Sequence, residues 1–355
     1  HCELIKVELD REPAIGNTLI DMYTKLGFLE DACRVFEKLS DRNIVSWDVR
    51  ISGLVQHGHN LLALDIFKKM QQEGLKPNKY TFSNVLKAFS MQGSVDDVKG
   101  LHDQLVKCSF ESCIVTMNTL IDVYGKSGYI CEASNVFEAL QNRDIVSWGT
   151  LIASCVQHGL DHTSLAYFER MQVEGFSPNE AVYVSILKAC IMVGMPLQSM
   201  ILHHQIIRAG IRLDVAIGTT LINMYGKLGH IQEASKVFYT MKDMNEVTWG
   251  SMVASYVENG FCLPALKTFI KMQDEGIKPE KACFLYIFKA CGQLGALESS
   301  LIHGQIIEIG LMMDVEIVSA LIHMYVKCGS LSDAYKILNS FPNGNIVSWG
   351  TMIAG

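Results

Sequence analysis

The sequence has little charge, little proline and no long apolar run, and each shortage excludes a class of protein. Charged residues make up 19% of the 355 residues and prolines number seven, whereas 49% of the residues are hydrophobic. A chain of this composition can bury a sizeable core and is not intrinsically disordered. No apolar stretch approaches the roughly 18 to 20 residues that span a bilayer, and no signal-type segment opens the chain. We therefore expect a soluble protein with no membrane partner and no targeting peptide in the sequence shown.

The sequence also lacks the patterns that catalysis and metal binding require. None of the eleven cysteines forms a Cys-x-x-Cys pair, and Cys155, Cys190 and Cys291 lie within apolar helical patterns, which favours reduced, buried thiols in an intracellular compartment. The string His-Cys-Glu at residues 1–3 has the first half of a zinc deaminase motif but no Pro-Cys-x-x-Cys to match it. No phosphate-binding loop or nucleophile elbow is present. We predict no enzyme activity, no catalytic residue, no metal site, no cofactor and no small-molecule substrate.

What the sequence does contain is an internal repeat. The only tryptophans are 101, 101 and 100 residues apart: Trp47, Trp148, Trp249 and Trp349. Three complete copies of the surrounding stretch are each followed by Met-Gln-x-Glu-Gly and then by a proline. Histidines recur as well, at His102, His203 and His303, which indicates a repeat feature, structural or groove-lining, and not a set of metal ligands. Self-similarity at a fixed period predicts a repeat array.

Each 101-residue unit divides into three predicted helix pairs. Apolar residues at i, i+3, i+4 and i+7, interrupted by glycines, indicate two antiparallel helices per pair. The pairs are 31, 35 and 35 residues long, with one pair a residue shorter, and their ranges are 13–43, 44–78, 79–113, 114–144, 145–179, 180–214, 215–245, 246–280, 281–314 and 315–345, with partial pairs at 1–12 and 346–355. Stacked pairs bury each other's apolar faces, so we predict an all-α fold, an α-solenoid that forms a right-handed superhelix. The partial pairs lead us to expect a fragment of a longer array.

Three strings identify a family resemblance. Asn-Thr-Leu-Ile-Asp-Val-Tyr-Gly-Lys-Ser-Gly at 118–128, Val-Ser-Trp-Gly-Thr-Leu-Ile-Ala at 146–153 and Met-Gln-Val-Glu-Gly-Phe-Ser-Pro-Asn at 171–179 resemble pentatricopeptide repeat proteins. The alternation of lengths resembles the plant PLS subclass of organellar RNA editing factors, with S, P and L repeats in that order from residue 13. The resemblance covers essentially the whole chain. A tetratricopeptide array would keep a uniform 34-residue period, and this chain does not.

The resemblance implies binding of single-stranded RNA, one base per repeat. In the family that the chain resembles, the base is read by the fifth residue of a repeat, on its first helix, and by the last residue, in the loop before the next repeat. The implied pairs are Asn17 with Asn43, Asp48 with Asn78, Ser83 with Cys113, Asn118 with Asp144, Gly149 with Asn179, Val184 with Asp214, Thr219 with Asn245, Gly250 with Glu280, Leu285 with Asp314 and Ser319 with Asn345. An open alternative is that the last residues are only helix caps and turn formers. Because glycine, valine and leucine cannot hydrogen bond to a base edge, we expect base selection mainly in the S repeats.

Two further rows of residues follow from the resemblance. The second residues Val45, Val115, Val146 and Val247 would flank the bases as apolar partners, although they are equally consistent with ordinary core valines at helix starts. The thirteenth residues Lys25, Lys126, Lys227 and Lys327 would contact the RNA backbone, although lysine also complements the dipole at a helix C-terminus. The net charge of −7 argues against a simple electrostatic binder.

Two functional hypotheses remain. The first is the RNA-targeting array of a C-to-U editing factor in a mitochondrion or chloroplast, with editing-complex proteins as further partners and a deaminase supplied by a missing C-terminal domain or a partner. By resemblance its ligand would be Y-n-n-U-n-n-A-n-n-A, running 5′ to 3′ from the N-terminal end of the array. The alternative is a protein-interaction scaffold with little RNA affinity, which the negative charge and the glycines at the fifth position favour.

Overall fold

The protein is entirely helical over the residues that the structure describes. The structure is a computed structural model that describes residues 12–92, 95–295, 299–310, 314–340 and 350. These residues form twenty α-helices, one short 3₁₀ turn (Phe110–Ser112) and no β-strand. In chain order the helices are α1 (Pro13–Lys25), α2 (Leu29–Lys38), α3 (Ile44–Gln56), α4 (Asn60–Gln72), α5 (Lys79–Gln92), α6 (Val95–Lys107), α7 (Ile114–Lys126), α8 (Ile130–Ala139), α9 (Ile145–Gln157), α10 (Asp161–Val173), α11 (Glu180–Val193), α12 (Pro196–Arg208), α13 (Val215–Lys227), α14 (Ile231–Thr240), α15 (Glu246–Glu258), α16 (Cys262–Asp274), α17 (Lys281–Leu294), α18 (Ser299–Ile309), α19 (Val315–Lys327) and α20 (Leu331–Ser340).

The helices form two compact units, His1–Val182 and Tyr183–Gly355. Odd-numbered helices are the first helices of the pairs, and even-numbered helices are the second ones. In the first unit the first helices α1, α3, α5, α7 and α9 pack each on the next, and in the second unit α13, α15, α17 and α19 do the same. The predicted α-solenoid of stacked antiparallel helix pairs is thus confirmed.

A glycine ends the first helix of a pair and turns the chain into the second. At the end of α7, Gly128 has a φ of 82°, in the left-handed region that favours glycine. Its N–H donates to the Gly125 carbonyl at 3.0 Å, and the N–H of Tyr129 donates to the Tyr124 carbonyl at 2.9 Å. These two bonds satisfy carbonyls that the helix end would otherwise leave unpaired. Gly27, Gly229 and Gly329 have the same φ sign at the matching places.

The repeated tryptophan closes the core between one pair and the next. Trp148, in the first turns of α9, is fully buried and meets the ring of Phe137 in α8 edge-on, with centroids 4.6 Å apart. Such aromatic pairs add about 0.5–1.5 kcal/mol beyond the area they bury. The same contact recurs at Trp47 with Phe36 and at Trp249 with Phe238, both at 4.9 Å. The small residues Ala32, Ala133, Ala234 and Ala334 are buried, as close packing within a pair requires.

Three pairs of neighbouring first helices contact each other closely at a glycine. A Cβ atom added to Gly125 in α7 would lie 2.0 Å from Oγ and 2.6 Å from Cβ of Ser154 in α9, so no side chain fits there. The same opposition recurs, once with its order reversed, at Gly226 facing Ser255 and at Thr24 facing Gly53. At these three junctions one partner therefore has to be glycine.

The recurring histidines link a second helix to the next first helix. Nδ1 lies within hydrogen-bond distance of a tyrosine hydroxyl in His102 with Tyr124 (3.3 Å), His203 with Tyr225 (2.9 Å) and His303 with Tyr325 (3.1 Å). Burial lowers the pKa of each histidine, and it raises the pKa of Tyr124 and of Tyr225 to about 12. The histidines therefore belong to a structural contact between repeats.

The described part of the chain was predicted to lack metal sites and membrane spans and to contain buried thiols. It contains no cluster of three or more metal-ligating side chains, and none of its helices combines the length and the apolar character needed to cross a bilayer. Its cysteines are free thiols. Cys155, Cys190 and Cys291 are buried as predicted, and burial raises the pKa of Cys155 and of Cys190 to about 11.

Candidate nucleic-acid interface

The fifth residue of a predicted repeat is also the fifth residue of its first helix, and its side chain faces the next first helix. Asn118 in α7 and Thr219 in α13 are each only 8% exposed. Buried polar side chains require hydrogen-bond partners. Those partners are found among the last residue of the same repeat and the first residues of the following repeat.

Asn118, Asp144 and Ser147 form a cluster where α7 meets the start of α9. Nδ2 of Asn118 donates to Oδ1 of Asp144 at 3.1 Å, and Oγ of Ser147 donates to Oδ1 of Asn118 at 2.7 Å. Burial acts to raise the pKa of Asp144, but hydrogen bonds from Ser147 and Asn118 outweigh it and hold that pKa below its usual value. At neutral pH the cluster therefore presents an amide donor beside a carboxylate acceptor.

Thr219, Asn245 and Thr248 form the equivalent cluster between α13 and α15. The hydroxyls of Thr219 and Thr248 are 2.9 Å apart, and Oγ1 of Thr248 donates to Oδ1 of Asn245 at 3.1 Å. Because the Asn245 oxygen also accepts the backbone N–H of Thr248 at 3.1 Å, the NH₂ group remains as the polar end of that amide. If the Thr219 hydroxyl donates to Thr248, its lone pairs remain as an acceptor. This cluster is thus the reverse of the Asn118 one: a hydroxyl acceptor beside an amide donor.

The Asp48 cluster joins the fifth-position carboxylate to Asn78 and Thr81. Nδ2 of Asn78 and Oγ1 of Thr81 each donate to a different carboxylate oxygen of Asp48. Burial raises the pKa of Asp48 more than these two hydrogen bonds lower it. Each carboxylate oxygen of Asp48 therefore already accepts one hydrogen bond within the protein.

At Gly149 and Gly250 the fifth position of the repeat has no side chain. Gly250 has nothing within 4 Å of an added Cβ, and it lines a surface cavity of about 240 Å³ together with Val247, Glu280 and Tyr286. Gly149 is more crowded, since an added Cβ would lie 3.3 Å from Cγ2 of Val182. Asn179, its partner, is exposed and accepts the N–H of Val182 at 3.0 Å.

The last residues do act as helix caps. Side-chain oxygens accept the N–H of the residue three positions later at Asn43, Asn78, Asp144, Asn179, Asp214, Asn245 and Asp314. Asp314 also forms an ion pair with Lys281 at 2.8 Å. Capping therefore explains these residues in part. It does not explain the side-chain hydrogen bonds that Asn118 donates to Asp144 and that Thr81 donates to Asp48.

The remaining predicted reading residues are less well defined. Oγ of Ser319 donates to the Val315 carbonyl at 2.7 Å, and its partner Asn345 lies outside the described residues. Oδ1 of Asn17 is buried and has no hydrogen-bond partner among the described residues. Val184 and Leu285 are half-buried and offer no hydrogen bond.

The second-position valines are exposed, so their interpretation as ordinary core valines was wrong. The exposed fractions are 50% for Val45, 65% for Val115, 52% for Val146 and 45% for Val247. Sequence reasoning missed Tyr80, which stands in the same register and is 63% exposed. The Nζ of Lys79 lies 5.0 Å from its ring centroid. Comparison of second positions alone would have identified this aromatic side chain, because it occupies the column of the four valines.

The thirteenth-position lysines stand at the C-terminal ends of first helices, and three of them are ion-paired. Lys25 contacts Asp21 and Lys126 contacts Asp122, both at 2.7 Å, and Lys227 contacts Glu258 at 2.9 Å. Lys327 is exposed at the end of α19. An anionic ligand would therefore compete with exposed carboxylates for these ammonium groups, at little cost because such pairs are weak.

Stacked helix pairs with a polar cluster at one register of their first helices define a helical-repeat protein. Comparison with known families agrees: the PPR repeat model matches residues 17–44, 115–145, 146–176, 219–246, 247–277 and 316–345, and the PPR repeat family model matches residues 42–91. The chain belongs to the pentatricopeptide repeat family.

Curated relatives from Arabidopsis thaliana are pentatricopeptide repeat-containing proteins. One is 32% identical over 342 residues, which are 96% of this chain and 47% of the relative. A chloroplastic one is 32% identical over 359 residues, with 100% and 58% covered, and a mitochondrial one is 35% identical over 285 residues, with 80% and 45% covered. The chain spans about half the length of these relatives.

Solved structures show the same fold. PPR10 in complex with an 18-nt psaJ RNA element matches with a TM-score of 0.78 at 19% identity, over 95% of this chain and 52% of that one. PPR10 from maize matches with a TM-score of 0.57 at 19% identity, over 95% and 55%.

Proposed function

We propose that this chain binds single-stranded RNA and selects bases through the clusters formed by fifth and last residues. The observation that carries the proposal is the opposite hydrogen-bond polarity of two clusters. The amide donor and carboxylate acceptor of Asn118 and Asp144 match the O4 acceptor and N3–H donor of uracil. The hydroxyl acceptor and amide donor of Thr219 and Asn245 match the N6–H donor and N1 acceptor of adenine.

The proposed ligand is Y-n-n-U-n-n-A-n-n-A. The first position comes from Asn17 with Asn43 and the last from Ser319 with Asn345. In this proposal the exposed valines and Tyr80 flank the bases held at the clusters, since an apolar surface beside a flat ring excludes water from it. In this proposal Gly149, Gly250, Glu280 and the Asp48 cluster correspond to the weakly specified bases between.

We further propose that the array is of the PLS type and directs C-to-U editing in a chloroplast or mitochondrion. The 31-, 35- and 35-residue alternation supports this subclass, and relatives named as chloroplastic or mitochondrial support the location. In this proposal the array has no catalytic role, and deamination is supplied by another domain or by a partner protein of an editing complex.

Equilibrium binding of labelled single-stranded RNA tests the proposal. One RNA carries U, A and A at the last three specified positions, and its control carries A, U and A there, so that the two RNAs have the same composition. Each direct contact of this kind is worth about 1–3 kcal/mol, so we expect the matched RNA to bind at least roughly tenfold more tightly at equal salt. Equal binding of the two RNAs, or none at all, would contradict it.

A protein-interaction scaffold is the second candidate. It is favoured by the net charge of −7 and by exposed apolar side chains on α12, Leu197, Ile201 and Ile207, because contiguous exposed apolar surface often marks a protein contact. Filter binding to a pool of single-stranded RNA separates the two candidates, since a scaffold would retain little RNA.

A further inference from the structure

A buried hydroxyl touches the fifth-position side chain in four of the described clusters. It belongs to the third residue of the following repeat. The contacts are Thr81 Oγ1 with Asp48 Oδ1, Thr116 Oγ1 with Ser83 Oγ (3.5 Å), Ser147 Oγ with Asn118 Oδ1 (2.7 Å) and Thr248 Oγ1 with Thr219 Oγ1 (2.9 Å). All four third residues are 0% exposed, so these hydroxyls have no access to solvent.

The residue type at the third position follows the fifth position of the preceding repeat along the whole sequence. Polar fifth residues are followed by serine or threonine in the pairs Asn17–Ser46, Asp48–Thr81, Ser83–Thr116, Asn118–Ser147, Thr219–Thr248 and Ser319–Ser348. Glycine or apolar fifth residues are followed by a residue that packs as a hydrophobe in the pairs Gly149–Val182, Val184–Ile217, Gly250–Cys283 and Leu285–Ile317. The two positions therefore change together.

Repeat type does not explain this correspondence. Thr81, Val182 and Cys283 hold the third position of predicted L repeats, and only the first of them follows a polar fifth residue. The predicted S repeats behave in the same way, with Thr116 after a polar residue and with Ile217 and Ile317 after apolar ones. What the third residue tracks is the neighbouring side chain that it touches.

The geometry at Ser147 shows what the hydroxyl does. An asparagine amide can rotate by half a turn and exchange its donor and acceptor ends with almost no change of shape. Oδ1 of Asp144 already accepts the N–H of Ser147 and Nδ2 of Asn118, and Oγ of Ser147 lies closer to Oδ1 of Asn118 (2.7 Å) than to Asp144 (2.9 Å). The serine proton thus holds the amide oxygen inward and leaves the NH₂ group beside the carboxylate.

Repeat 13–43 lacks this contact. Ser46 donates to Oδ1 of Asn43 at 3.2 Å, and Oδ1 of Asn17 remains buried without a hydrogen-bond partner among the described residues. Ser348 lies outside the described residues. The tests therefore concern Ser147 and the apolar position Val182.

We propose that the third residue of a repeat is a positioning residue, whose buried hydroxyl orients the fifth-position side chain of the preceding repeat and thereby sets the base that this repeat selects. The inference rests on the proposed RNA-binding function. It adds a residue that lies beneath the reading pair and acts on the base only through it.

Selection of bound RNAs from a random pool, with wild type, Ser147→Ala and Ser147→Thr in parallel, tests the loss of the hydroxyl. With alanine we expect the uracil enrichment at the Asn118 position to fall roughly five- to tenfold, the contribution of one hydrogen bond. The adenine enrichment at the Thr219 position of the same molecule should stay unchanged, and threonine should restore uracil. A merely structural role would weaken both positions equally.

A gain of selectivity is the complementary test. Gly149→Asn alone places an amide against Val182, whose Cγ2 would lie 3.3 Å from the new Cβ. The valine side chain has no hydroxyl proton that could orient this amide. Gly149→Asn with Val182→Thr supplies the missing hydroxyl, and Asn179 already stands at the last position. We expect the double variant to gain a pyrimidine preference at this base and the single variant to gain little. Circular dichroism confirms that both fold.

The outcomes separate this inference from the function on which it rests. If wild type enriches no base at any position, the proposed function fails and this inference falls with it. The positioning role alone is overturned if wild type enriches uracil and adenine and Ser147→Ala enriches both bases as strongly as wild type does. It is also overturned if Gly149→Asn alone gains the full preference.

Discussion

Replacing Gly125 by alanine tests how tightly neighbouring first helices are packed. The new Cβ would lie 2.0 Å from Oγ and 2.6 Å from Cβ of Ser154. Rotation of the serine hydroxyl relieves the first contact but not the second, so α7 and α9 must move apart along their shared core. Overpacking of this kind costs about 1–3 kcal/mol, and the helix-propensity gain of up to about 1 kcal/mol is reduced because Gly125 is next to the last residue of α7. We expect a net loss of about 1–2 kcal/mol.

Gly250→Ala is the matched control, because nothing lies within 4 Å of its added Cβ. There alanine should stabilise α15 by about 0.5–1 kcal/mol. The pair Gly125→Thr with Ser154→Gly should recover stability lost by Gly125→Thr alone, since it copies Thr24 facing Gly53. Urea unfolding followed by circular dichroism, with hydrogen exchange in α7 and α9, measures these effects without assuming that the array unfolds in one step. A Gly125→Ala variant as stable as wild type would refute this packing argument.

Two further predictions concern the histidine contacts and the exposed valines. Burial lowers the pKa of His203, so the stability that this residue contributes is fully present above its unfolded pKa of about 6.5 and is lost as the pH falls through the folded value. Urea midpoints at pH 7.5 and 5.5 should therefore differ less in His203→Gln than in wild type. An unchanged difference would exclude His203 as a source of the pH dependence. Val115→Ser should weaken RNA binding while costing less than about 0.5 kcal/mol of stability, as exposed substitutions usually do. The control Val123→Ala, at a fully buried position in the same helix, should destabilise the protein by roughly 1 kcal/mol or more. A Val115→Ser variant that binds RNA as wild type does would argue against base flanking.

The helical architecture was predictable because its signals are local and repeated. The apolar spacing around Leu19, the glycine at Gly27 and the return of tryptophan every 101 residues each indicate the same helix pairs. Buried thiols such as Cys155 were predictable for the same reason. A solenoid contacts only its near neighbours, so few long-range pairings remained to be guessed.

The details of the site depended on contacts between repeats, which spacing alone does not reveal. Nothing in the sequence around Val115 says that its side chain is exposed, because a valine at a helix start fits a core equally well. The ion pair of Lys227 with Glu258 joins different repeats. Oδ1 of Asp144 accepts both the capping N–H of Ser147 and Nδ2 of Asn118, so a capping role does not exclude the proposed reading role.

Selection of bound RNAs with wild type and Asn245→Asp tests the central claim most directly. Aspartate caps helices at this register, as Asp144 and Asp214 show, so the substitution preserves the fold while replacing an amide donor by a pure acceptor. The account predicts that enrichment at the Thr219 position moves from adenine toward guanine, whose N1–H can donate to the new carboxylate, and that overall affinity changes less, because stacking and backbone contacts carry much of it. If both proteins enrich the same base there, these residues do not read RNA and are helix caps only.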